Sequence, residues 1–291
     1  MDVEMRHLRA LVGVVENGTF TDAGMELGIS QAAVSRNVAS LEGVLGVRLL
    51  HRTTRSVELT PAGERVLRHA RRVLAVLTDL RQEAAAGAST IRIGYAWSAL
   101  GEHTPEFQRR WAAALPLHEL HLTRSNTPTA GLREGTSDLA ILRRVPEAPD
   151  IELALIGAEK RYCAMSVDDP LAAKRTVTLA QIATAPLALD DRTGSTRLDL
   201  WPDDGRPHRT VATYDIDDWL TVISSGAARG VTAESTAHQY RRRGLTYRAI
   251  RDAPPVPVHA AWMRSDPPAI LHEVITLLAG LYRSRPSDRV R

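Results

Sequence analysis

The sequence predicts an α/β chain made of an all-α N-terminal module, one long linker helix and a larger C-terminal region in which short strands and helices alternate. Three observations carry that expectation. Up to about Gly63 the apolar residues keep helical spacing between brief breaks, and from Glu64 to about Ala86 nothing interrupts the helix. From Ile91 onward short apolar runs alternate with helical segments, the pattern of a largely parallel sheet with covering helices. At 291 residues the chain is long enough for two or three units with well-buried cores.

The first helix is marked by Leu8, Leu11, Val12 and Val15 and stops at Asn17-Gly18, a left-handed terminator. Thr19 or Thr21 caps a second, with Phe20, Ala23 and Leu27 as its apolar contacts, and Gly28 permits a tight turn. Ser30 caps a third helix through Val38, with Val34, Val38 and Leu41 facing inward. Two helices joined by a short glycine-containing turn form a helix-turn-helix. Between Arg52 and Thr60, Val57 and Leu59 alternate with polar residues, as in a two-stranded wing.

Thr60-Pro61 opens the long helix. Val66, Ala70, Val73, Leu77, Leu80 and Ala84 recur at steps of four and three, a heptad seam suited to dimerisation; packing against its own chain is the alternative. After Gly87-Ala88-Ser89, strands are expected at Ile91 to Tyr95, His118 to Thr123 and Asp138 to Leu142. Helices are expected at Pro105 to Ala114 and Thr129 to Gly135. A second unit begins at Tyr162 to Met165, continues through a strand Pro186 to Leu189 and a helix Trp219 to Ser225, and a helix Pro267 to Arg283 closes the chain.

Composition excludes several classes. Hydrophobic residues make up 44% and charged residues 24%, far from a disordered composition. No apolar run approaches the roughly 20 residues of a membrane span, and the start lacks a secretory pattern, so a cytoplasmic protein is expected, without membrane partners. The single cysteine, Cys163, cannot pair within the chain; it is read as a core thiol, with a one-cysteine redox sensor as the alternative. His118 and His121 fall on opposite faces of a strand, which disfavours a metal site. A Gly-x-Ser-x-Gly elbow and a Gly-x-Gly-x-x-Gly loop are both missing, Gly226 to Gly230 included. Neither an enzyme nor a cofactor is expected.

Net charge is +3, and all but Lys160 and Lys174 of the 37 basic side chains are arginine. GC-rich codons account for most of that bias. Placement is more informative. In the first 60 residues, five of the seven acids precede Gly28, whereas Arg36, Arg48, Arg52 and Arg55 follow Ser35.

The residues Thr19-Phe20-Thr21-Asp22-Ala23, Leu27, Ser30 to Ser35, Leu41-Glu42, Leu45-Gly46, Leu49, Arg52, Leu59-Thr60 and Ala62-Gly63 resemble the N-terminal module of LysR-type transcriptional regulators. Ala32, Leu50 and Gly24 depart from it, where proline, phenylalanine and alanine are usual; Gly24 is expected to soften its helix by up to roughly 1 kcal/mol. The resemblance implies a winged helix-turn-helix over 1–60, a linker helix over 61–87 and an effector-binding domain over 90–291. That domain would be periplasmic-binding-protein-like, with one subdomain at about 90–160 plus 263–291 and the other at about 161–262.

By match to that motif, Gln31, Ser35 and Arg36 are placed at base edges or adjacent phosphates of promoter DNA, with Asn37 beside them. Ser30 is a cap whose helix N-terminus can receive a phosphate. Arg52 and Arg55 in the wing would hold backbone or minor groove, and Glu42 is read as structural. The seam residues Val66, Ala70, Val73, Leu77 and Leu80 would pair two chains into a homodimer, within the family's usual homotetramer. In the C-terminal half, loops after strand ends are where ligands sit. That rule nominates Trp97-Ser98, Ser125-Asn126-Thr127, Arg143-Arg144 and Arg192-Thr193-Gly194-Ser195 for a small-molecule effector, an anion suiting hydroxyls, amides and arginines. The expectation is therefore a DNA-binding regulator switched by an effector and contacting RNA polymerase. Control by abundance or a protein partner is the alternative, and a solute-binding protein is disfavoured by the N-terminal module.

Overall fold

The computed structural model describes residues 2–52, 57–86 and 89–283. The chain divides into two units, one up to Thr90 that also takes in Arg133–Thr136 and one that holds the rest from Ile91 on.

The N-terminal unit begins with α1 (Met5–Asn17), α2 (Phe20–Leu27) and α3 (Gln31–Leu45), each ended by a glycine in the left-handed region, Gly18, Gly28 and Gly46. Thr19 and Ser30 cap α2 and α3 by accepting from Asp22 N and Ala33 N, as their residue types predict. Leu11, Val14, Ala23, Val34, Val38 and Leu41 are fully buried in one cluster. Gly24 does more than soften α2. Its amide plane lies so close to the turn that a Cβ there would stand 2.8 Å from the Ile29 carbonyl oxygen, and its own carbonyl accepts from Ile29 N at 3.0 Å. The wing is an antiparallel pair, β1 (Leu50–Arg52) and β2 (Val57–Leu59), with His51 opposite Glu58.

The long helix, α4, runs Pro61–Ala86. Its apolar stripe is wider than one seam and divides between two environments. Leu67 and Ala70 are buried in the head cluster, with Val66 and Leu74 packed on it, while Val73, Val76 and Leu80 stay open at 44%, 59% and 62% exposure. Ala70 and Val66 therefore face the chain's own head. The exposed apolar edge is Val73, Val76 and Leu80, with Leu77 half-buried between the two.

The C-terminal unit has two lobes. The first holds β3 (Ser89–Tyr95), α5 (Thr104–Ala114), β4 (His118–Arg124), β5 (Leu139–Leu142) and β6 (Ile151–Glu159). The second holds β7 (Arg161–Ser166), β8 (Thr176–Val177), α6 (Leu179–Ile182), β9 (Leu187–Leu189) and β10 (Thr210–Ala212). It continues with α7 (Ile216–Ser224), β11 (Arg229–Ala233), α8 (Glu234–Gln239) and β12 (Leu245–Ile250). The chain then returns to the first lobe through β13 (Val256–Met263) and α9 (Leu271–Arg283). The sheets run β4-β3-β5-β13-β6 and β10-β9-β11-β7-β12-β8.

Four expectations are corrected. The return to the first lobe falls near residues 251–255 rather than 262, because β13 is hydrogen-bonded between β5 and β6. Both sheets are mixed rather than largely parallel: β13 is antiparallel to both neighbours, and so is β7 to β11 and β12. The stretch from Thr129 to Gly135 forms successive turns, since Ala130, Gly131 and Gly135 hold positive φ of 48°, 92° and 70°, which no right-handed helix accommodates. Finally, α9 starts at Leu271, after Pro267-Pro268, since a proline disfavours helical geometry in the residue before it. The core of the first lobe gathers Ile93, Phe107, Trp111, Val258 and Leu278; the second lobe is cored on both sheet faces by clusters around Met165 and Trp219. Among the described residues, no helix is long and apolar enough to cross a membrane.

Candidate nucleic-acid interface and ligand cleft

Helix α3 is fixed on one side by Val34, Val38 and Leu41, each fully buried, so its opposite side is set by the helical repeat. Arg36 is exposed there; Gln31 is exposed at the start of the helix, on the stripe of Val34 and Val38 but one turn before it is covered, and Ser35 and Asn37 are half-buried. Among the described residues neither Gln31 nor Arg36 has a hydrogen-bond or ion-pair partner, which leaves one amide and one guanidinium ready for an external acceptor. Ser30 Oγ is occupied by its cap, 3.2 Å from Ala33 N, and the Ser30 carbonyl accepts from Ala33 N and Val34 N at 2.9 and 3.1 Å.

Glu42 fixes the next segment, as its structural reading expects. Its Oε1 accepts from Leu49 N at 2.7 Å and Leu50 N at 3.2 Å, which ties the end of α3 to the wing. Thr60 closes the other side by donating to the Arg48 carbonyl at 2.8 Å and accepting from Gly63 N at 2.9 Å. Gly63 has to be glycine here, since a Cβ would lie 2.0 Å from the Leu49 carbonyl oxygen. Arg52 ends β1 opposite Val57; Arg55 lies outside the described residues.

In the C-terminal unit the strand-end rule finds a real cleft, with corrections. Thr127, Arg143, Arg144, Arg192, Thr193, Ser195 and Trp97 line it. Ser98, Ser125 and Asn126 do not. Ser98 is fully buried, its hydroxyl 2.9 Å from that of Ser235 and 3.2 Å from that of Thr236, so it joins the lobes instead of facing a ligand. Ser125 N donates to the Tyr95 carbonyl at 2.9 Å. Asn126 spans the lobes: its amide donates to the Tyr214 carbonyl at 2.7 Å and its Oδ1 lies 2.8 Å from Thr193 Oγ1, which accepts from Trp97 Nε1 at 2.8 Å.

Arg143 reaches the cleft wall, but its fork is filled. It donates to the carbonyls of Ser98 (2.6 Å) and Ala99 (2.7 Å) and makes two bonds to Glu159 (2.8 and 3.1 Å). Burial works against the Glu159 charge, yet the Arg143 charge and hydrogen bonds, with those from Ser235, hold its carboxyl at about 2. Two cations remain at the rim. Arg144 donates to the Asp191 carbonyl and Arg192 to that of Tyr214, with Arg192 half exposed above the Tyr214 ring. The apolar side is built from Ala96, Pro128, Ile141 and Leu142. The sequence reading missed Thr232 and Thr236, which also line it. Thr232 is the next-to-last residue of β11 and Thr236 lies in the first turn of α8, so the same strand-end rule applied to β11 finds them. The cleft is narrow, with about 30 Å³ of free volume.

His121 is exposed beside Glu119 (3.0 Å) and alternates with Leu120 and Leu122 along β4, and no group of metal-ligating side chains occurs among the described residues. Cys163 is fully buried, and burial pushes its thiol pKa up. Arg241, Arg242 and Arg243 are exposed between α8 and β12.

Comparison with known proteins gives the following. Residues 5–64 match the family described as bacterial regulatory helix-turn-helix protein, lysR family, and residues 84–282 the LysR substrate binding domain. An uncharacterized HTH-type transcriptional regulator of Escherichia coli (strain K12), YnfL, is 34% identical over 239 residues, covering 77% of this chain and 78% of that protein. A probable hydrogen peroxide-inducible genes activator of Mycobacterium xenopi is 36% identical over 177 residues, covering 58% of this chain and 93% of the relative. The crystal structure of full-length CbnR complexed with its target DNA superposes with a TM-score of 0.67 at 25% identity, covering 96% of this chain and 99% of that one.

Proposed function

The chain belongs to the LysR family of bacterial transcriptional regulators, and from that premise we propose which of its residues do the regulating. It is a DNA-binding regulator with an effector-binding domain. In our reading α3 lies in the major groove of promoter DNA, with Gln31, Ser35 and Arg36 at base edges or the flanking phosphates, Asn37 beside them, and Arg52 and Arg55 positioning the wing on the backbone. One observation carries this: Gln31 and Arg36 stand exposed and unpartnered among the described residues, Arg36 on the side of α3 opposite its buried Val34 and Val38 and Gln31 at its open first turn. A gel-shift titration of Arg36→Ala against the promoter of the neighbouring divergent gene tests it; unchanged affinity would sink the assignment.

The effector we propose is a small organic anion drawn between Arg144 and Arg192 at the rim, its body on Ile141, Leu142 and Pro128 and its oxygens within reach of Thr127, Thr193, Ser195 and Thr232. Because the cleft is nearly closed, such a ligand favours a more open pair of lobes, and the regulator responds by population shift. Two chains pair through Val73, Val76, Leu77 and Leu80 of α4, the dimers assemble as tetramers in the cytoplasm, and DNA-bound complexes contact RNA polymerase. Calorimetric titration with small carboxylates, repeated on Arg144→Ala, tests the cleft. Saturable binding that weakens in the variant supports it; silence across the panel favours control by abundance or a protein partner.

The Mycobacterium xenopi relative raises a second reading, a peroxide response. Thiol oxidation needs an accessible thiolate. Cys163 is the chain's one cysteine; it is fully buried in β7 with a raised pKa, which favours the small-molecule reading.

A further inference from the structure

We propose that the C-terminal unit carries a second ligand site, distinct from the cleft, that takes a small zwitterion bearing both an ammonium and a carboxylate group. The site is a cavity of about 510 Å³ beside the start of α5, within the usual range for small-molecule pockets and much roomier than the cleft. Both lobes build its wall. Tyr95, Glu102, Thr104 and Leu122 come from the first, and His238 of α8 and Arg241, two residues past its end, come from the second.

Its charges choose the ligand. Glu102 lies on the wall with about half its side chain exposed, and its Oε2 is 3.3 Å from His238 Nδ1. Arg241 is exposed and, among the described residues, has no hydrogen-bond or ion-pair partner. A simple anion would meet the Glu102 carboxylate, and a simple cation would meet Arg241 and, when protonated, His238. A molecule carrying both charges places its carboxylate at Arg241 and its ammonium at Glu102, with the Tyr95 hydroxyl available to either end and Leu122 and Pro105 for its carbon body; Thr104 Oγ1 already accepts from Leu100 N at 3.3 Å. Free α-amino acids have this chemistry and fit the volume.

Helix α8 is common to both sites: Thr236 lines the cleft, and His238 and Gln239 line the cavity. Its neighbour Tyr240 donates to the Trp97 carbonyl at 2.7 Å, and Trp97 is itself part of the cleft.

The test is a thermal-shift and calorimetric screen of the full-length chain against the proteinogenic L-amino acids singly, with acetate and ethylammonium as one-charge controls. The expected result is saturable stabilisation by at least one amino acid and by neither control. Arg241→Ala and Glu102→Gln should each weaken that binding about tenfold or more, the loss of one charge-assisted hydrogen bond, while Arg144→Ala at the cleft rim leaves it in place. Stabilisation lost in Arg144→Ala and kept in Arg241→Ala would move the amino acid to the cleft and overturn the second site. Equal stabilisation by acetate, or none by any amino acid, would overturn the proposal too.

Discussion

Arg143 Nη2 stands 2.8 Å from Glu159 Oε1, with the two side chains only 9% and 4% exposed, at the point where the chain leaves the first lobe. Arg143 directly follows β5 and holds two carbonyls of the segment after β3; Glu159 ends β6 and accepts from Ser235 N and Oγ of α8 and from the Tyr282 hydroxyl of α9. The pair thus ties five segments of the C-terminal unit at one locus.

Removing one partner leaves the other charge buried. Glu159→Gln is expected to cost about 3–5 kcal/mol at neutral pH, measured by denaturant unfolding. The pH dependence follows from the depressed carboxyl. Its stabilisation is fully present above the ordinary value of 4.5 and is lost as pH falls toward about 2, an effect of about 3 kcal/mol that the Gln variant lacks. Parallel acid profiles for the two proteins would refute the assignment.

Arg36→Ala should weaken operator binding by about 1–3 kcal/mol, with far-UV circular dichroism unchanged because Arg36 is exposed and packs on nothing in the head cluster. Repeating the titration across salt concentrations separates the two contact types. A reduced salt slope assigns Arg36 to a phosphate, and an unchanged slope with relaxed sequence preference assigns it to a base.

Leu80→Glu should lower the solution mass seen by light scattering, since Leu80 is 62% exposed and a charge there disturbs pairing without entering the head core. Ala70→Glu makes the contrast: Ala70 is 1% exposed, so its variant should unfold the head itself. An unaltered mass for Leu80→Glu would remove α4's open edge from the dimer.

Cys163 should resist a thiol reagent at neutral pH in the native chain and react once denaturant opens β7, because burial both blocks access and raises the thiol pKa. Rapid native labelling would reopen the peroxide reading.

The helical head was legible almost residue by residue because its signals are local: Thr19 and Ser30 cap, Gly18 and Gly28 stop, and Val34, Val38 and Leu41 repeat at helical spacing. Non-local pairings were harder. Nothing near Val256 to Met263 reveals that this strand returns between β5 and β6, and Ala130 adopts positive φ in a stretch whose composition suits a helix. At the cleft, the strand-end rule named most of the loops that line it and could not say which side chains turn outward. Ser98 is spent on Ser235, and Arg143 on Glu159, through partners more than a dozen residues away in the chain. The α4 seam was visible as periodicity, but periodicity alone cannot tell Ala70, which faces the head, from Leu80, which is exposed.

The two passages between the lobes run side by side, since Glu159, last residue of β6, pairs with Val256, first of β13. A single strap would let the lobes swivel about it in any direction. Two adjacent straps, one at Lys160 and one at residues 251–255, resist twisting and leave bending as the soft coordinate. Whatever occupies the space between the lobes can therefore report little beyond one opening angle, and ligands of different shape are reduced to a one-dimensional message before it reaches DNA.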